Sequence, residues 1–357
     1  MPDEPPTNGD EPLRASASSD GEPADDAESV FETAQAWLAE GRRLVWATVV
    51  STFRSSPRPL GSQMVIADDG RFAGSVSGGC VEAAVIAAAA QLFAGQPSRT
   101  VRYGVSSEQA WDVGLPCGGK LEVFMGEVPP NLLAHVVEGR RRRQSVGWVT
   151  DLSSGAQSLS VGALQPEPAL SEVLTAALGG EQSQLIEAAD RRVFVHVVPA
   201  PPRLVVVGAV HLTQALAELA KSCGFEVIVV DPRTAFATRA RFPSARLCHD
   251  WPDEALDALP LDRRTAVVVL SHDAKLDEPA LMSALRSESF YIGALGSRRT
   301  QEARRQRLAE AGFGDADLAR IHGPVGLAIG AVTAPEMAVA IMAEIVQARR
   351  RGTSQPY

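Results

Sequence analysis

Apolar positions in the first third of the chain switch between helical and extended spacing. In VFETAQAWLAEG, residues 30–41, Phe31, Ala34 and Trp37 fall on one face of a helix that a glycine ends. RLVWATVVSTF then predicts a buried strand, QMVIADDGRFAGSV a hairpin, CVEAAVIAAAAQLFAG a second helix and LEVFMGEV a further strand. We therefore expect a mixed α/β domain over residues 29–130.

The next stretch is patterned more weakly. NLLAHVVEGRRRRQSVGWVTDLSSGAQSLSVGAL suggests one helix followed by a strand or hairpin, and little periodicity follows it as far as Asp190. RVFVHVVPAPP then ends in prolines that are typical of a hinge. Residues 131–200 are interpreted as a partly structured connecting segment.

Short β-branched runs alternate with amphipathic segments from residue 201 to residue 350. RLVVVG, EVIVVD, RTAVVVLSHD and FYIGAL read as strands, and HLTQALAELAKSCG, PALMSALRS and SRRTQEARRQRLAEAG read as helices. This alternation is typical of a doubly wound parallel sheet. Thr333 and Glu336, with Pro335 in the first turn, predict a capping box on a last helix. The fold class is therefore α/β, with the mixed N-terminal domain followed by a Rossmann-like domain.

Composition and charge exclude several classes of protein. The 357 residues are 45% apolar and 22% charged, and the chain contains no apolar run of membrane-spanning length, so membrane insertion is not expected. Residues 1–28 hold nine acids and one base and few apolar groups, which predicts a disordered acidic tail. Since this tail carries almost all of the net charge of −9, the remainder is nearly neutral, which argues against nucleic-acid binding. A start without a basic or apolar leader predicts a cytoplasmic protein.

The glycine-rich turn SVSGGCVEAA opens directly into a helix. We expect the backbone N–H groups of Gly78, Gly79 and Cys80 to be unpaired and to attract an anion. The same helix start would lower the pKa of the Cys80 thiol. Glu82 could belong to this site or could simply interact favourably with the helix dipole.

A second thiol lies in GLPCGGKLEV, where Cys117 precedes Gly118 and Gly119. Taken alone, Cys117 is more simply read as a small buried residue. Two thiols in two glycine turns of one domain instead suggest a site for a soft metal or a sulfur-bearing ligand that also carries phosphate. The four cysteines show no CxxC pair, so a structural zinc site is not expected.

The Rossmann-like part carries an incomplete dinucleotide fingerprint. Gly208 ends the first strand, but Val210 stands where GxGxxG has its second glycine, and His211 follows. Asp231 closes the second strand where a ribose-binding acid belongs, and Arg233 could favour a 2′-phosphate. The alternative is that Asp231 only caps the end of the strand.

Two later turns add candidate ligand groups. Ser297 is predicted to cap a helix whose first turn carries Arg298 and Arg299. Either arginine alone could be an ordinary surface residue, but two cations at a helix N-terminus together suggest a bound anion. His322 begins the glycine-rich turn HGPVGLAIGAVTAP. We expect both turns at the carboxyl edge of the sheet, where open α/β folds bind ligands.

Five ordered segments carry a resemblance to a known family. SSPRPLGSQMVIADDGRFAGSVSGGCVE, YGVSSEQAWDVGLPCGG, VVVGAVHLTQALAELAKSCGFEVIVVDPR, FYIGALGSRRT and IHGPVGLAIGAVTAPEMAVAIMAEI resemble the XdhC/CoxI family of accessory proteins for xanthine dehydrogenase and carbon monoxide dehydrogenase type molybdoenzymes. The resemblance spans roughly residues 30–350. It departs at GAVH, where many members have GAG or GAGH.

The resemblance implies a function as well as a fold. Such proteins are thought to bind the molybdenum cofactor (molybdopterin), to shield it while a cysteine desulfurase installs its terminal sulfur, and to pass it to the apo-molybdoenzyme without acting as catalysts. The family's glycine and cysteine turns fall on Gly78, Gly79, Cys80, Glu82, Cys117, Gly118 and Gly119, and its arginine-proline-glycine loop falls on Arg58 and Gly61.

The residues and the resemblance together favour a cofactor chaperone. Cys117 first and Cys80 second are the candidates for groups near the metal, with the ligand in a cleft between the two domains. One alternative is an NAD(P)-dependent oxidoreductase that uses the Rossmann-like domain, with His211 or His322 handling a proton. A protein-docking scaffold without ligand is a further alternative, and a homodimer stays open.

Overall fold

The structure is a computed structural model that describes residues 27–53, 58–79, 81–104, 120–160, 170–188 and 191–350. Three separate β-sheets organise these residues, with helices on their faces. Of the acidic tail predicted for residues 1–28, residues 1–26 lie outside the described residues.

The first sheet, sheet A, is antiparallel and has the strand order β3-β2-β1-β5-β4. Its strands are β1 (Leu44–Phe53), β2 (Gln63–Ala67), β3 (Phe72–Gly74), β4 (Arg99–Gly104) and β5 (Lys120–Glu127). Side chains on β1 point alternately to its two faces, because strand residues have a period of two. Val45, Ala47 and Val49 pack with α2 (Glu82–Phe93), while Leu44 and Trp46 pack with α1 (Ala27–Ala39).

The second sheet, sheet B, lies in the segment whose sequence is weakly patterned. After α3 (Pro130–Arg141), strands β6 (Val146–Asp151), β7 (Gln157–Ser160), β8 (Gln184–Ala188) and β9 (Arg191–Val198) pair antiparallel in the order β7-β6-β9-β8. Helix α4 (Ser171–Gly180) covers one face. The sequence predicted only a helix and a strand or hairpin here, so most of this sheet is a finding of the structure.

Sheets A and B pack face to face. Phe194 of sheet B and Leu152, which follows β6, share a buried cluster with Val50 and Phe124 of sheet A. The ring of Trp46 stacks on Phe31 at a centroid distance of 5.3 Å, and the ring of Trp148 lies tilted against Trp46 at 5.6 Å. The two sheets therefore form one sandwich whose strand ends and edges are available for a site.

The third sheet, sheet C, is parallel, as the sequence predicts. Its strands are β10 (Arg203–Val207), β11 (Glu226–Val230), β12 (Arg246–Cys248), β13 (Thr265–Val269), β14 (Tyr291–Ala294) and β15 (Ile321–His322). The strand order β12-β11-β10-β13-β14-β15 is the doubly wound arrangement, in which the direction of winding reverses between β10 and β13. The predicted Rossmann-like sheet is confirmed.

Helices cover both faces of sheet C. One buried cluster joins Leu204 and Val206 to α5 (His211–Ser222) and α10 (Ala334–Arg350), and the other joins Val205 and Val207 to α6 (Pro252–Asp257), α7 (Ala274–Leu285) and α8 (Arg298–Glu310). The short helix α9 (Asp315–Leu318) precedes β15. The predicted capping box on α10 is present, since Thr333 N donates to Glu336 at 2.9 Å and Glu336 N to the Thr333 hydroxyl at 3.4 Å.

Arg143, just after α3, joins the sandwich to the Rossmann-like part. It donates through Nε and Nη2 to the two carboxylate oxygens of Asp262 at 2.8 and 2.9 Å and through Nη1 to the carbonyl of Pro201 at 3.1 Å. Sheets A, B and C fall within residues 29–130, 131–200 and 201–350, and the domain boundaries themselves stay a prediction. Among the described residues, no helix has the length and apolarity needed to cross a bilayer.

Candidate functional site

The first group of predicted site residues lies at one end of sheet A. Strand β3 ends at Gly74, residues 75–79 form a turn, and α2 begins at Glu82. Gly78 and Gly79 have φ angles of 85° and 109°, a left-handed backbone that glycine adopts without strain. The turn can therefore fold back over the first residue of the helix.

The carboxylate of Glu82 fills this turn. Its Oε1 accepts from the Ser75 hydroxyl at 2.8 Å and from the amide of Gly78 at 3.1 Å. Its Oε2 accepts from the Ser77 hydroxyl at 2.6 Å and from the amide of Gly79 at 2.9 Å. Burial alone would raise the pKa of Glu82, but the hydrogen bonds from Ser77 and Ser75 outweigh it and lower the pKa to about 2.

This geometry corrects one expectation. The amides of Gly78 and Gly79 were predicted to be unpaired and ready for an external anion, but both donate to the Glu82 carboxylate. The turn is an anion nest, as its glycines indicate, and the chain supplies the anion itself. A ligand phosphate would have to displace Glu82 in order to bind these amides.

Arg58 and Gly61 belong to the loop that lies next to this turn. Arg58 Nε donates to the Ser75 hydroxyl, whose Oγ lies 3.4 Å away. Gly61 has φ of 82°, and a Cβ added there would lie 2.7 Å from His196 Nδ1 and 2.8 Å from Ser183 Oγ. Burial lowers the pKa of His196 to about 4, so its ring is neutral at pH 7. The loop therefore needs a glycine to lie against sheet B.

Both cysteines predicted to lie near a metal, with Gly118 and Gly119, lie outside the described residues. The flanks of the segment that contains Cys117 are defined, because β4 ends at Gly104, β5 begins at Lys120, and these two residues are register partners. Lys120 is in turn the partner of Phe53, the last residue of β1. The chain thus leaves and re-enters sheet A at adjacent positions.

Gly208, in the second group, allows two loops at the carboxyl edge of sheet C to touch. It has φ of 104°, and a Cβ added there would lie 2.8 Å from the backbone nitrogen of Ser271 in the loop after β13. Position 208 therefore cannot carry a side chain unless one of these two loops moves. This close approach occurs where the sheet reverses its winding.

Asp231 is fully buried at the end of β11. Its Oδ2 accepts from the amide of Ala209 at 2.7 Å and from Arg233 Nη2 at 2.7 Å, and its Oδ1 accepts from Arg233 Nε at 2.8 Å and from the amide of Arg233 at 3.0 Å. Burial would raise the pKa of Asp231, but these bonds outweigh it and lower the pKa. Four donors use the lone pairs of the carboxylate, so Asp231 caps the turn, and no acceptor is left for a ribose hydroxyl.

The start of α8 presents two exposed cations. Ser297 caps the helix as predicted, accepting from the amide of Thr300 at 3.2 Å. Arg298 and Arg299 are exposed and make no hydrogen bond or ion pair within the described parts of the chain. His211 is also exposed, as the first residue of α5. The two guanidinium groups give this edge of sheet C a positive charge that an anion could neutralise.

His322 is held by an acid that the sequence analysis missed. Its Nδ1 lies 3.1 Å from Glu344 Oε1, and the other carboxylate oxygen accepts from the Tyr291 hydroxyl at 2.6 Å and the amide of Gly326 at 2.7 Å. Burial would raise the pKa of Glu344, but the Tyr291 and Gly326 hydrogen bonds lower it. Because an ionised carboxylate only accepts, Nδ1 of His322 carries the proton and Nε2 is left with its lone pair in the neutral ring.

A buried polar network connects the loops that follow β13 and β14 at the carboxyl edge of sheet C. Ser271 donates to Asp277 at 2.5 Å, Asp277 pairs with Arg304 at 3.2 Å, and Arg304 donates to the carbonyl of Leu295 and to Gln301. Gln301 in turn donates to the carbonyl of Ala294 at 2.8 Å. Polar residues at positions 301 and 304 share a helical face with Leu308, and Glu344 shares one with Ile341 and Ile345. For Glu344, a polar residue within the apolar stripe of α10 was thus the signal available in the sequence, whereas the buried face of α8 is itself largely polar.

The predicted residues thus form two groups, one at the end of sheet A and one at the carboxyl edge of sheet C. Within the described ranges, no set of three or more His, Cys, Asp or Glu side chains is placed to hold a metal ion. Metal binding by Cys80 and Cys117 therefore stays a prediction, as does a ligand cleft between the domains.

Comparison with known proteins finds family matches for both parts of the chain in which these two groups lie. Residues 204–345 match the XdhC Rossmann domain, and residues 37–104 match the XdhC and CoxI family. The molybdenum cofactor insertion chaperone PaoD of Escherichia coli strain K12 is 31% identical over 326 residues, which cover 91% of this chain and 89% of PaoD.

Two further proteins are similar along most of their length. A probable subunit of xanthine dehydrogenase from Bacillus subtilis strain 168 is 30% identical, with 88% of this chain and 96% of that protein covered. The crystal structure of a protein described as a xanthine dehydrogenase, from Bacillus halodurans, superposes with a TM-score of 0.74 at 26% identity and covers 91% of this chain and 98% of that one.

Proposed function

The chain belongs to the XdhC and CoxI family, and from this premise we propose that it is a chaperone for the molybdenum cofactor. In this proposal the protein binds the cofactor as cargo, protects it while a cysteine desulfurase supplies its terminal sulfur, and delivers it to an apo-molybdoenzyme of the xanthine dehydrogenase type. The names of PaoD and of the probable xanthine dehydrogenase subunit support this assignment.

One observation carries the proposal on structural grounds. Arg58 and the glycine turn of residues 75–79 are in contact at one end of sheet A, and Gly104 and Lys120, which flank the segment containing Cys117, are paired residues of the same sheet. Strand β3, which leads into the turn, and the Gly104–Lys120 pair both lie toward the end of sheet A at which β1 finishes. This convergence favours a single binding site over scattered structural glycines.

The cargo is a pterin with a dithiolene-bound molybdenum and a terminal phosphate. We assign Cys117, and second Cys80, to the neighbourhood of the metal, as transient ligands or protecting groups, because thiolates suit soft metals. Any such bond must be weak, since the cargo is handed on. Neither thiol is assigned a nucleophilic role.

The phosphate of the cargo requires cations in its binding site. Arg58 supplies a guanidinium group beside the glycine turn, where Glu82 already occupies the amides. Arg298 and the Ser297 turn supply another at the carboxyl edge of sheet C, the edge to which His211 and His322 also belong. Guanidinium groups bind phosphate through paired, charge-assisted hydrogen bonds.

The alternative of an NAD(P)-dependent oxidoreductase loses its main support. It required Asp231 to bind a ribose hydroxyl and Arg233 to bind a 2′-phosphate, but these two side chains bind each other. Val210 also occupies the position where close approach of a pyrophosphate needs glycine. We therefore prefer a cofactor chaperone that is not itself a catalyst.

The role of the thiols can be tested with matched variants. The full chain and its Cys117→Ala and Cys223→Ala variants are produced in a host supplied with molybdate, and bound molybdenum and activation of an apo-xanthine dehydrogenase are measured. Cys223 is an exposed cysteine that follows the last residue of α5, and it serves as the control. We expect loss of both signals only for Cys117→Ala. Unchanged retention and activation in that variant would contradict the thiol role.

A further inference from the structure

A histidine with one ring nitrogen held and the other unused lies at the carboxyl edge of sheet C. His322 is the last residue of β15, and its register partner on β14 is Gly293. Its half-buried side chain contacts Glu344 through Nδ1, and Nε2 has no hydrogen-bond partner in the described part of the chain. Open α/β folds bind ligands at this edge, so the unused nitrogen is a candidate ligand contact.

Glu344 fixes the position of the proton on this ring. One of its carboxylate oxygens, Oε2, accepts from the Tyr291 hydroxyl at 2.6 Å and from the amide of Gly326 at 2.7 Å. The other, Oε1, lies 3.1 Å from His322 Nδ1. An ionised carboxylate only accepts hydrogen bonds, so Nδ1 donates and Nε2 of the neutral ring is an acceptor.

Packing also holds the ring in one orientation. Its centroid lies 4.5 Å from that of Tyr291, whose ring is buried in the cluster that includes Ile341 and Ile345 of α10. A Cβ added at Gly293 would lie 2.9 Å from Tyr291 Cε1, so Tyr291 takes this position only beside a glycine. His322 is therefore oriented before any ligand binds, which lowers the entropic cost of a contact with it.

Nε2 of His322 differs in chemistry from the other predicted site residues of this edge. The side chains of Arg298 and Arg299 only donate hydrogen bonds. The carboxylate of Asp231 is an acceptor, but four donors already occupy it. Guanidinium groups suit a phosphate, whereas the lone pair of a neutral imidazole suits an N–H or O–H group of a ligand.

A pterin carries such donors, because it has ring N–H groups and an exocyclic amino group. Resting on the proposed function of this chain, we propose that His322 Nε2 accepts a hydrogen bond from an N–H group of the pterin cargo. Glu344 is a positioning residue in this arrangement, since it acts on the cargo only through the tautomer of His322. The N–H groups of the cargo and its anionic phosphate are thereby recognised by different side chains.

Glu344→Gln should reverse this tautomer with little change in side-chain shape. The amide of Gly326 only donates, so the carboxamide oxygen of the glutamine has to face it, and the NH₂ group then faces His322. Nδ1 has to accept from that NH₂ group, and the ring proton moves to Nε2. Nε2 thereby becomes a donor, which opposes the N–H group of the cargo.

Two further variants complete the set. Tyr291→Phe is the matched control, because it removes a donor to the same carboxylate but keeps the charge of Glu344 and its bond from Gly326. His322→Phe removes both ring nitrogens and keeps an aromatic ring against Tyr291. Nitrogen-15 NMR of the full chains in the alkaline range, where imidazole is neutral, shows which nitrogen carries the proton, and His322→Phe identifies the signal by its loss. Thermal unfolding verifies that each variant folds.

We expect the proton on Nδ1 in the unmodified chain and in Tyr291→Phe, and on Nε2 in Glu344→Gln. After production in a host supplied with molybdate and extensive dialysis, the unmodified chain and Tyr291→Phe should retain equal amounts of pterin. Glu344→Gln and His322→Phe should retain about tenfold less or lower amounts. A proton on Nε2 in the unmodified chain, or unchanged pterin content in Glu344→Gln or His322→Phe, would overturn the inference alone. Absence of pterin from the unmodified chain would refute the proposed function and the inference with it.

Discussion

The carboxylate of Glu82 lies among the amides of the turn that precedes it, although the sequence suggested that those amides await an external anion. The glycines at positions 78 and 79 revealed the anion nest, because only that backbone directs several N–H groups to one point. Which anion fills the nest depends on the rotamer of one side chain in the next turn. That choice follows from packing and could not be predicted from residue types.

The structure predicts an acid-dependent stability from Glu82. Its folded-state pKa of about 2 lies below the ordinary 4.5, so the contribution is complete above about pH 5 and is lost as the pH falls toward 2. Glu82→Gln should therefore lower the free energy of unfolding at pH 7 by on the order of 3 kcal/mol, measured by denaturant titration. At pH 2.5 the difference between variant and unmodified chain should be much smaller.

Glu336→Gln is the control for this experiment. Glu336 also accepts from two backbone amides at a helix start, those of Val332 and Thr333, but it is exposed to solvent. Its replacement should cost far less than that of Glu82. Equal losses for the two variants, or a Glu82→Gln effect that does not change with pH, would show that the buried hydrogen bonds are not the cause.

Asp231 gives a second prediction at the scale of single residues. Since its carboxylate is saturated by Ala209 and Arg233, neither NADH nor NADPH should show saturable binding when nicotinamide fluorescence is followed during titration with the full chain. Micromolar binding that Asp231→Ala abolishes would mean that a ribose can displace Arg233, and would restore the oxidoreductase alternative.

At the scale of elements, the contact between the loops after β10 and β13 depends on Gly208. Gly208→Ala would place a methyl group 2.8 Å from backbone atoms of Ser271 in addition to straining a φ of 104°. We expect a loss of about 2 to 4 kcal/mol in unfolding free energy, measured by thermal or denaturant unfolding.

Gly312→Ala separates strain from crowding. Gly312 has a similar φ of 97° but no atom within 4 Å of an added Cβ. It should lose only about 1 kcal/mol, the cost of the left-handed backbone for an L-residue. If both variants lost the same amount, the contact with Ser271 would have no energetic role.

Elements with strong local signals could be predicted from the sequence, and those defined by distant pairing could not. The parallel strands of sheet C and the capping box of α10 follow from β-branched runs and from Thr333 and Glu336. Sheet B was largely missed, because β7 is the four-residue stretch QSLS and because β6 pairs with β9, whose residues lie up to about fifty positions further along the chain. Short polar strands carry no alternation to detect.

At the scale of the whole molecule, Arg143 fastens the sandwich to the Rossmann-like part. Its side chain is 9% exposed and forms a two-bond contact with Asp262. Arg143→Gln should leave Asp262 without its charged partner and destabilise the junction by roughly 2 kcal/mol or more.

The measurement is calorimetric unfolding together with limited proteolysis at the junction near residues 199–203. Cleavage should become faster in Arg143→Gln than in Arg142→Gln, whose arginine lies one residue earlier and pairs only within α3 in the described contacts. Equal cleavage rates for the two variants would contradict a fastening role for Arg143.

A molybdenum-bearing pterin that the chain carries and does not consume is the cargo that we propose. The most direct test is mass spectrometry of small molecules released from the full chain after purification from a host supplied with molybdate. We expect a pterin phosphate together with molybdenum in the protein fraction. Release of a nicotinamide dinucleotide, or of no ligand at all, would contradict it.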